Sequence, residues 1–141
     1  MKEILTFQYT EKRSRFFVYI YEIHSSVEFK SALREIQNQN KKAKHILRVG
    51  RFENHYGIYI TEASEDKEPI SSMKKVASFL EKDGIQDRGI FIVRYFGGVK
   101  FGANYLDKVY TDLAMKAVKM EGESLSKTSE KHYNGGVNHK G

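Results

Sequence analysis

The segment Arg94-Tyr95-Phe96-Gly97-Gly98-Val99-Lys100-Phe101-Gly102 combines cations with glycines in a way suited to holding an anion. Glycine admits positive φ and carries no side chain, so consecutive backbone N–H groups can turn into one concavity. A helix expected just beyond would aim its positive end at the same place. Arg94 and Lys100 would add full charges, and Lys108 falls one turn inside that helix. The loop lacks the Gly-Lys-[Ser/Thr] ending of a P-loop and the Gly-x-Gly-x-x-Gly of a dinucleotide fold. A structural role stands beside this chemistry: Gly97-Gly98 can make a tight turn while Tyr95, Phe96 and Phe101 fill the core. Spacing alone leaves both open.

Other clusters are weaker. Lys12, Arg13 and Arg15 sit beside Phe16, Phe17 and Tyr19, a mixture of charge and rings that can grip single-stranded nucleic acid. The same rings can instead alternate into the core. Lys41, Lys42 and Lys44 follow an expected helix, where cations complement the negative end. The acidic run Glu62 to Glu68 lacks the alternating ligands and turn glycine of a calcium loop, so it reads as a solvated loop. The histidines, His24, His45, His55, His132 and His139, form neither a His-x-x-x-His pair nor a Glu-flanked zinc motif. His45 opens a strand and fits a hydrogen-bonded structural role. No nucleophile elbow occurs. These patterns assign no catalytic residue, no metal ligand and no cofactor.

The elements that must position these residues are legible as periodicity. Ile4 to Tyr9 and Arg15 to Tyr21 are β-branched and aromatic, with Thr10 to Ser14 as a turn between paired strands. Ser25-Ser26-Val27-Glu28 forms a capping box, followed by Phe29, Leu33 and Ile36 at helical spacing. His45 to Val49 and Tyr56 to Ile60 read as strands, with Gly57 marking a bulge or close approach. Ser71-Ser72 are plausible caps for a helix carrying Val76, Phe79 and Leu80, which Asp83-Gly84 ends. Gly89 to Val93 is a continuous apolar run, the mark of a central strand buried on both faces. A third helix carries Leu106, Val109, Tyr110, Leu113 and Ala117, with Asn104 and Asp107 resembling a cap pair. The order predicts an α+β fold, a two-layer sandwich whose mostly antiparallel or mixed sheet has its helices on one face.

The chain has 141 residues and a net charge of +6, which predicts one domain over residues 1–120 and a flexible tail over 121–141. The basic excess lies before residue 52 and again in 71–120, a balance that favours polyanion partners. Cysteine is absent, which excludes a disulfide-linked partner and thiolate zinc. Neither an apolar leader nor a run long enough to span a bilayer is present, so the expectation is a soluble, cytoplasmic protein without a membrane partner.

Arg94 to Ala103, with Leu106 and Tyr110 in step, resembles the signature of the IMPACT/YigZ family. The likeness extends to Lys12-x-Ser14-Arg15-Phe16, to Ala43-Lys44-His45, and to Glu65-Asp66-Lys67-Glu68-Pro69, covering about residues 10–118. It implies a ribosomal-protein S-five domain-2-like fold, which recurs in translation factors and ribosomal proteins. Eukaryotic relatives regulate translation by protein–protein competition during amino-acid starvation, and bacterial relatives usually add a ferredoxin-like domain. The sequence departs from the family where Lys67, Ser71 and Lys74 replace glycines and Asn104-Tyr105 replaces a Gly-Gly pair. Three readings follow. The first is a non-catalytic module of translation or its regulation, binding RNA or a ribosome-associated protein through Arg94, Tyr95, Gly97, Gly98, Lys100, Lys108, Lys12, Arg13 and Arg15. The second is a protein–protein regulator without nucleic-acid contact. The third is a nucleotide-binding protein or enzyme with His45, Glu68 and Arg94 around one pocket.

Overall fold

The computed structural model describes residues 1–137, with side chains described through Gly122. Elements follow the order β1 (Lys2–Glu11), β2 (Ser14–Glu22), α1 (Ser26–Gln39), β3 (Ile46–Glu53), β4 (Tyr59–Ser64), α2 (Ser72–Lys82), β5 (Arg88–Tyr95) and α3 (Ala103–Val137). The strands form one sheet ordered β1-β2-β5-β3-β4, and every pairing is antiparallel. The fold is α+β, as the periodicity predicts. The expected tail at 121–141 falls largely outside the described side chains; Glu121, however, is buried and pairs with Arg88 at 2.8 Å.

The helices do not share one face. Phe16, Val18 and Ile20 of β2, with Ile90 and Ile92 of β5, pack against Val76 and Leu80 of α2 and Leu106, Tyr110 and Leu113 of α3. The alternate residues Tyr19, Tyr21, Phe91 and Val93 pack against Phe29, Ala32 and Ile36 of α1 on the opposite side. The physical reason is the unbroken apolar run in β5. A strand buried on both faces needs cover on each, because a wholly buried aromatic or branched side chain contributes about 1.5–3 kcal/mol only when water is excluded. Glycines in neighbouring strands make room for α1: a Cβ at Gly50 would stand 2.7 Å from the Phe29 ring.

Local signals explain most element ends. Ser25 caps α1, its Oγ accepting from the Glu28 N–H at 3.1 Å. Gly84, at φ +62, closes α2 while the Ile85 N–H donates to the Leu80 carbonyl at 3.0 Å. Two expected caps are replaced. Ser71 makes no side-chain cap; instead the Glu65 carboxylate accepts from the Met73 and Lys74 N–H groups, each at 3.1 Å. Asp107 does not cap its own helix but accepts from the Ser71 N–H at 2.9 Å and from Lys75. Gly57 lies in the turn before β4, at φ +78 with open space around it, so β4 starts at Tyr59 rather than Tyr56.

Candidate functional site

All four connections carrying the singled-out residues meet at one end of the sheet. These are the β1–β2 turn, the α1–β3 link, the β4–α2 loop and the β5–α3 loop. Antiparallel register forces this: Arg15 stands opposite Tyr95 and Phe16 opposite Arg94, while Ile46 pairs with Val93 and Arg48 with Ser64. Residues far apart in the chain are therefore placed side by side by backbone hydrogen bonding alone.

The β1–β2 turn uses Lys12 and Arg13 as its two central residues, at φ +48 and +67. Two successive positive φ values suit the right-handed twist of a hairpin, but Asn-Gly adopts them at lower cost. Gly97 lies directly against this turn. A Cβ there would stand 2.1 Å from the Arg13 carbonyl oxygen, so only glycine fits. Buried Ser14 fastens the two segments, its Oγ accepting from the Gly97 N–H and from Arg94 Nη2, each at 3.3 Å. The Gly97 N–H therefore has a protein partner, and this glycine serves close approach of two chain segments rather than an open cradle of N–H groups. Gly98 supplies the reversal at φ +93.

Arg94 is held by rings. Its guanidinium carbon lies 4.8 Å from the Phe101 centroid, 5.5 Å from Phe96 and 5.7 Å from Phe16, a geometry in which aromatic faces attract the cation. Its Nε is buried without a hydrogen-bond partner among the described residues, and so is the Tyr110 hydroxyl. Burial pushes the Tyr110 phenol far above its ordinary pKa, reinforced by the Glu68 carboxylate and opposed by Arg94. Tyr110 thus stays protonated beneath the site.

Above these groups opens a cleft of about 670 Å³ lined by Arg15, Lys42, Lys44, His45, Glu68, Arg94, Tyr95 and Phe96. Arg15 lies 5.1 Å above the Tyr95 ring. The Tyr95 hydroxyl donates to Asn40 Oδ1 at 2.7 Å, and Asn40 Nδ2 donates to the Tyr19 hydroxyl at 3.1 Å. A neighbouring groove shares Arg15, Lys42 and Tyr95 and adds Phe17 and Lys41, so the basic, aromatic surface is continuous. Phe96 is 60% exposed, unusual for a large apolar ring.

His45 is oriented by the acidic loop. Its Nδ1 lies 2.7 Å from the Asp66 carbonyl oxygen; a carbonyl only accepts, so Nδ1 carries the proton. Nε2 faces Glu68 Oε1 at 3.4 Å. Asp66 also accepts from the Ile46 N–H at 2.6 Å, and Glu68 N–H closes the turn onto the Glu65 carbonyl at 3.0 Å. The acidic run is therefore a structural clasp joining β3, β4 and α2, not the free solvated loop its composition predicts. It places Lys67 at φ +70, where the resemblance led to an expected glycine.

The structure thus brings together Arg15, His45, Glu68, Arg94 and Tyr95. It separates others. Lys12 lies over Phe101 and Tyr105, 5.1 Å from each centroid. Lys108 pairs with Asp112 at 2.5 Å and lines a different groove with Tyr9, Glu11 and Tyr105. There, hydrogen bonds from Tyr105 and Tyr9 hold the Glu11 carboxyl below its usual range. Arg13 contributes its backbone to the packing against Gly97. Lys100 is exposed and lies off the cleft lining. Lys42, Lys44, Ser14 and Tyr110 were not anticipated as site residues. The two lysines had a signal, a cation run leading straight into His45, but α1 ends at Gln39 and leaves them beyond its last turn. Among the described residues no cluster of three or more metal-ligating side chains occurs, and no helix is long and apolar enough to cross a membrane.

Comparison with known proteins places this geometry in context. The family model described as the Impact N-terminal domain matches residues 12–118. A curated IMPACT family member in the pol 5′ region of Thermus thermophilus is 36% identical over 56 residues, covering 40% of this chain and 31% of that protein. A crystal structure of a hypothetical protein superposes with a TM-score of 0.71 at 21% identity, over 82% of this chain and 56% of the other. The two-domain translational regulator Yih1 superposes with a TM-score of 0.52 at 17% identity, over 80% of this chain and 44% of Yih1. The chain therefore spans less than two thirds of each of these relatives, and the two structural likenesses speak to the fold.

Proposed function

This chain belongs to the Impact N-terminal domain family, and from that premise we propose that it is a non-catalytic, cytoplasmic binding module acting in translation or its regulation, with RNA as its ligand. Family membership and the likeness to a translational regulator support the role. The observation that carries the RNA reading is the cleft at the sheet end, where Arg15, Lys42, Lys44 and Arg94 surround Tyr95 and exposed Phe96. Cations spaced along a groove track phosphates, while rings at its wall accept stacked bases of a single strand. This moves the contact from the glycine loop as a whole to the cleft beside it, with the loop acting chiefly to position Arg94.

Fluorescence anisotropy with labelled single-stranded and structured RNA tests the proposal. With three or four phosphates neutralised, the log–log salt slope for single strands is about −2 to −3, so affinity drops roughly 20- to 50-fold between 50 and 200 mM salt. A Lys42→Ala/Lys44→Ala variant, changed at surface positions that leave the core intact, should lose affinity and flatten that slope. Absence of RNA binding at low salt would remove this reading and turn the search toward a ribosome-associated protein partner, sought in nuclease-treated lysate.

A further inference from the structure

The cleft contains one group that phosphate binding does not explain. Glu68 stands on its floor, 13% exposed, amid the basic rim. A carboxylate there repels a phosphate and weakens the cations beside it. Its nearest polar partner is His45 Nε2, 3.4 Å away, while the proton of that ring is directed at the Asp66 carbonyl. Nε2 and the Glu68 oxygen face one space, and where Nε2 carries no proton both are acceptors. Such a pair suits a ligand hydroxyl, which donates to one and lies within reach of the other.

Position selects which hydroxyl. The same cleft holds the cations that would bind phosphates and the rings of Tyr95 and Phe96 that would stack bases, with Arg15 over Tyr95 and Arg94 against Phe96. The unit joining phosphate to base in a strand is the sugar. We propose that His45 and Glu68 accept a hydrogen bond from a ribose 2′-hydroxyl and so select RNA over DNA. The inference rests on the RNA reading above and deepens it by assigning the residues that set sugar specificity. His45 is fixed for this task by Asp66 and by the turn through Lys67, so the acceptor pair is preorganised before a strand arrives.

The same anisotropy assay decides the matter, using the wild-type chain and three matched single strands: RNA, DNA, and RNA with every 2′-hydroxyl methylated. RNA is expected to bind about tenfold more tightly than either of the others, the range of one hydrogen bond to a charged or buried acceptor. A scan with one deoxynucleotide at a time should localise that loss to a single position, leaving each base unchanged. In a Glu68→Ala variant the preference should collapse while DNA binding stays level or improves, because a repulsive charge has been removed. A merely structural role for Glu68 would weaken both ligands together. Equal wild-type affinity for RNA and DNA overturns the inference and leaves the RNA-binding reading standing. Failure of both strands to bind at low salt overturns that reading as well. Retention of the full preference in Glu68→Ala overturns the residue assignment.

Discussion

Replacing Gly97 with alanine should destabilise the protein by a steric route that Gly98 does not share. The new Cβ would stand 2.1 Å from the Arg13 carbonyl oxygen, 2.2 Å from its carbon and 2.5 Å from its Cβ. Ordinary contact begins near 3.4 Å, so the hairpin turn or the loop must retreat by more than an ångström. Neither segment yields easily. The turn already holds two residues at positive φ, and Ser14 ties both segments through one buried hydroxyl. Overpacking against backbone costs about 1–3 kcal/mol, and losing the Ser14 bonds adds about 1. A total near 3 kcal/mol lowers the melting temperature of a domain this size by roughly 10 °C. Gly98→Ala meets no atom within 4 Å and suffers only from its φ of +93, about 1 kcal/mol or a few degrees. Thermal melts by circular dichroism would separate the two. Because displaced Ser14 no longer orients Arg94, Gly97→Ala should also lose RNA affinity measured well below its melting temperature, while Gly98→Ala keeps most of it. A Gly97→Ala variant that melts with the wild type would refute the packing of loop on hairpin and the positioning argument built upon it.

Further consequences can be checked alongside. Lys67→Gly should raise the melting temperature by a few degrees, since relief of a non-glycine residue at φ +70 contributes up to about 1 kcal/mol. Lys108→Ala should leave RNA affinity and its salt slope unchanged, because Lys108 pairs with Asp112 in a separate groove; a loss equal to that of Lys42→Ala would contradict the cleft. Burial pushes the Asp107 carboxyl up, but hydrogen bonds from Lys75 and from the Ser71 N–H outweigh it and hold it below the ordinary aspartate value. A folded-state pKa below the unfolded one contributes stability that is present above the unfolded value and is lost as pH falls through the folded value. Denaturant melts should therefore show Asp107→Asn destabilised at neutral pH, with its difference from wild type shrinking below about pH 4.

The sequence announced every element in order, because each carried a strong period or a strong boundary residue: Ser25, Gly84, and the apolar run through β5. It misplaced one layer for a reason also present in the sequence. Gly89 to Val93 reads as a strand buried on both faces, and such a strand cannot belong to a sheet with helices on one side only. The general α+β pattern does not say which face each helix takes, and α1 supplies the cover that the run demands on the second face. Caps failed in a different way. Glu65 and Asp107 both act across the chain on the start of α2, and a search confined to neighbours three or four residues apart cannot find a partner 8 or 36 residues away.

The candidate site was legible where backbone geometry alone decides and opaque where side chains from different connections converge. Of the two roles that spacing leaves open for Gly97, the structure shows the structural one. The Gly97 N–H faces Ser14, and the missing side chain makes space for Arg13. Charge alone does not place a side chain in the cleft. Lys12, Lys100 and Lys108 have the right type and lie near the motif in sequence, yet rings, solvent and Asp112 claim them. Lys42 and Lys44 read in the sequence as a helix-end run, and in the structure they line the cleft. What distinguishes the two groups is register, since pairing of β3 and β2 with β5 draws the α1–β3 link toward Arg94 and leaves the first turn of α3 facing β1. The acidic loop completes the same logic. Read as composition it is a solvated stretch, but once β3 and β4 are paired two of its carboxylates are committed, Glu65 to α2 and Asp66 to β3, while Glu68 faces the histidine at the cleft. Among the described residues the Glu68 carboxylate accepts no hydrogen bond from an element of the fold, and this is why the specificity we propose for the cleft is placed on it.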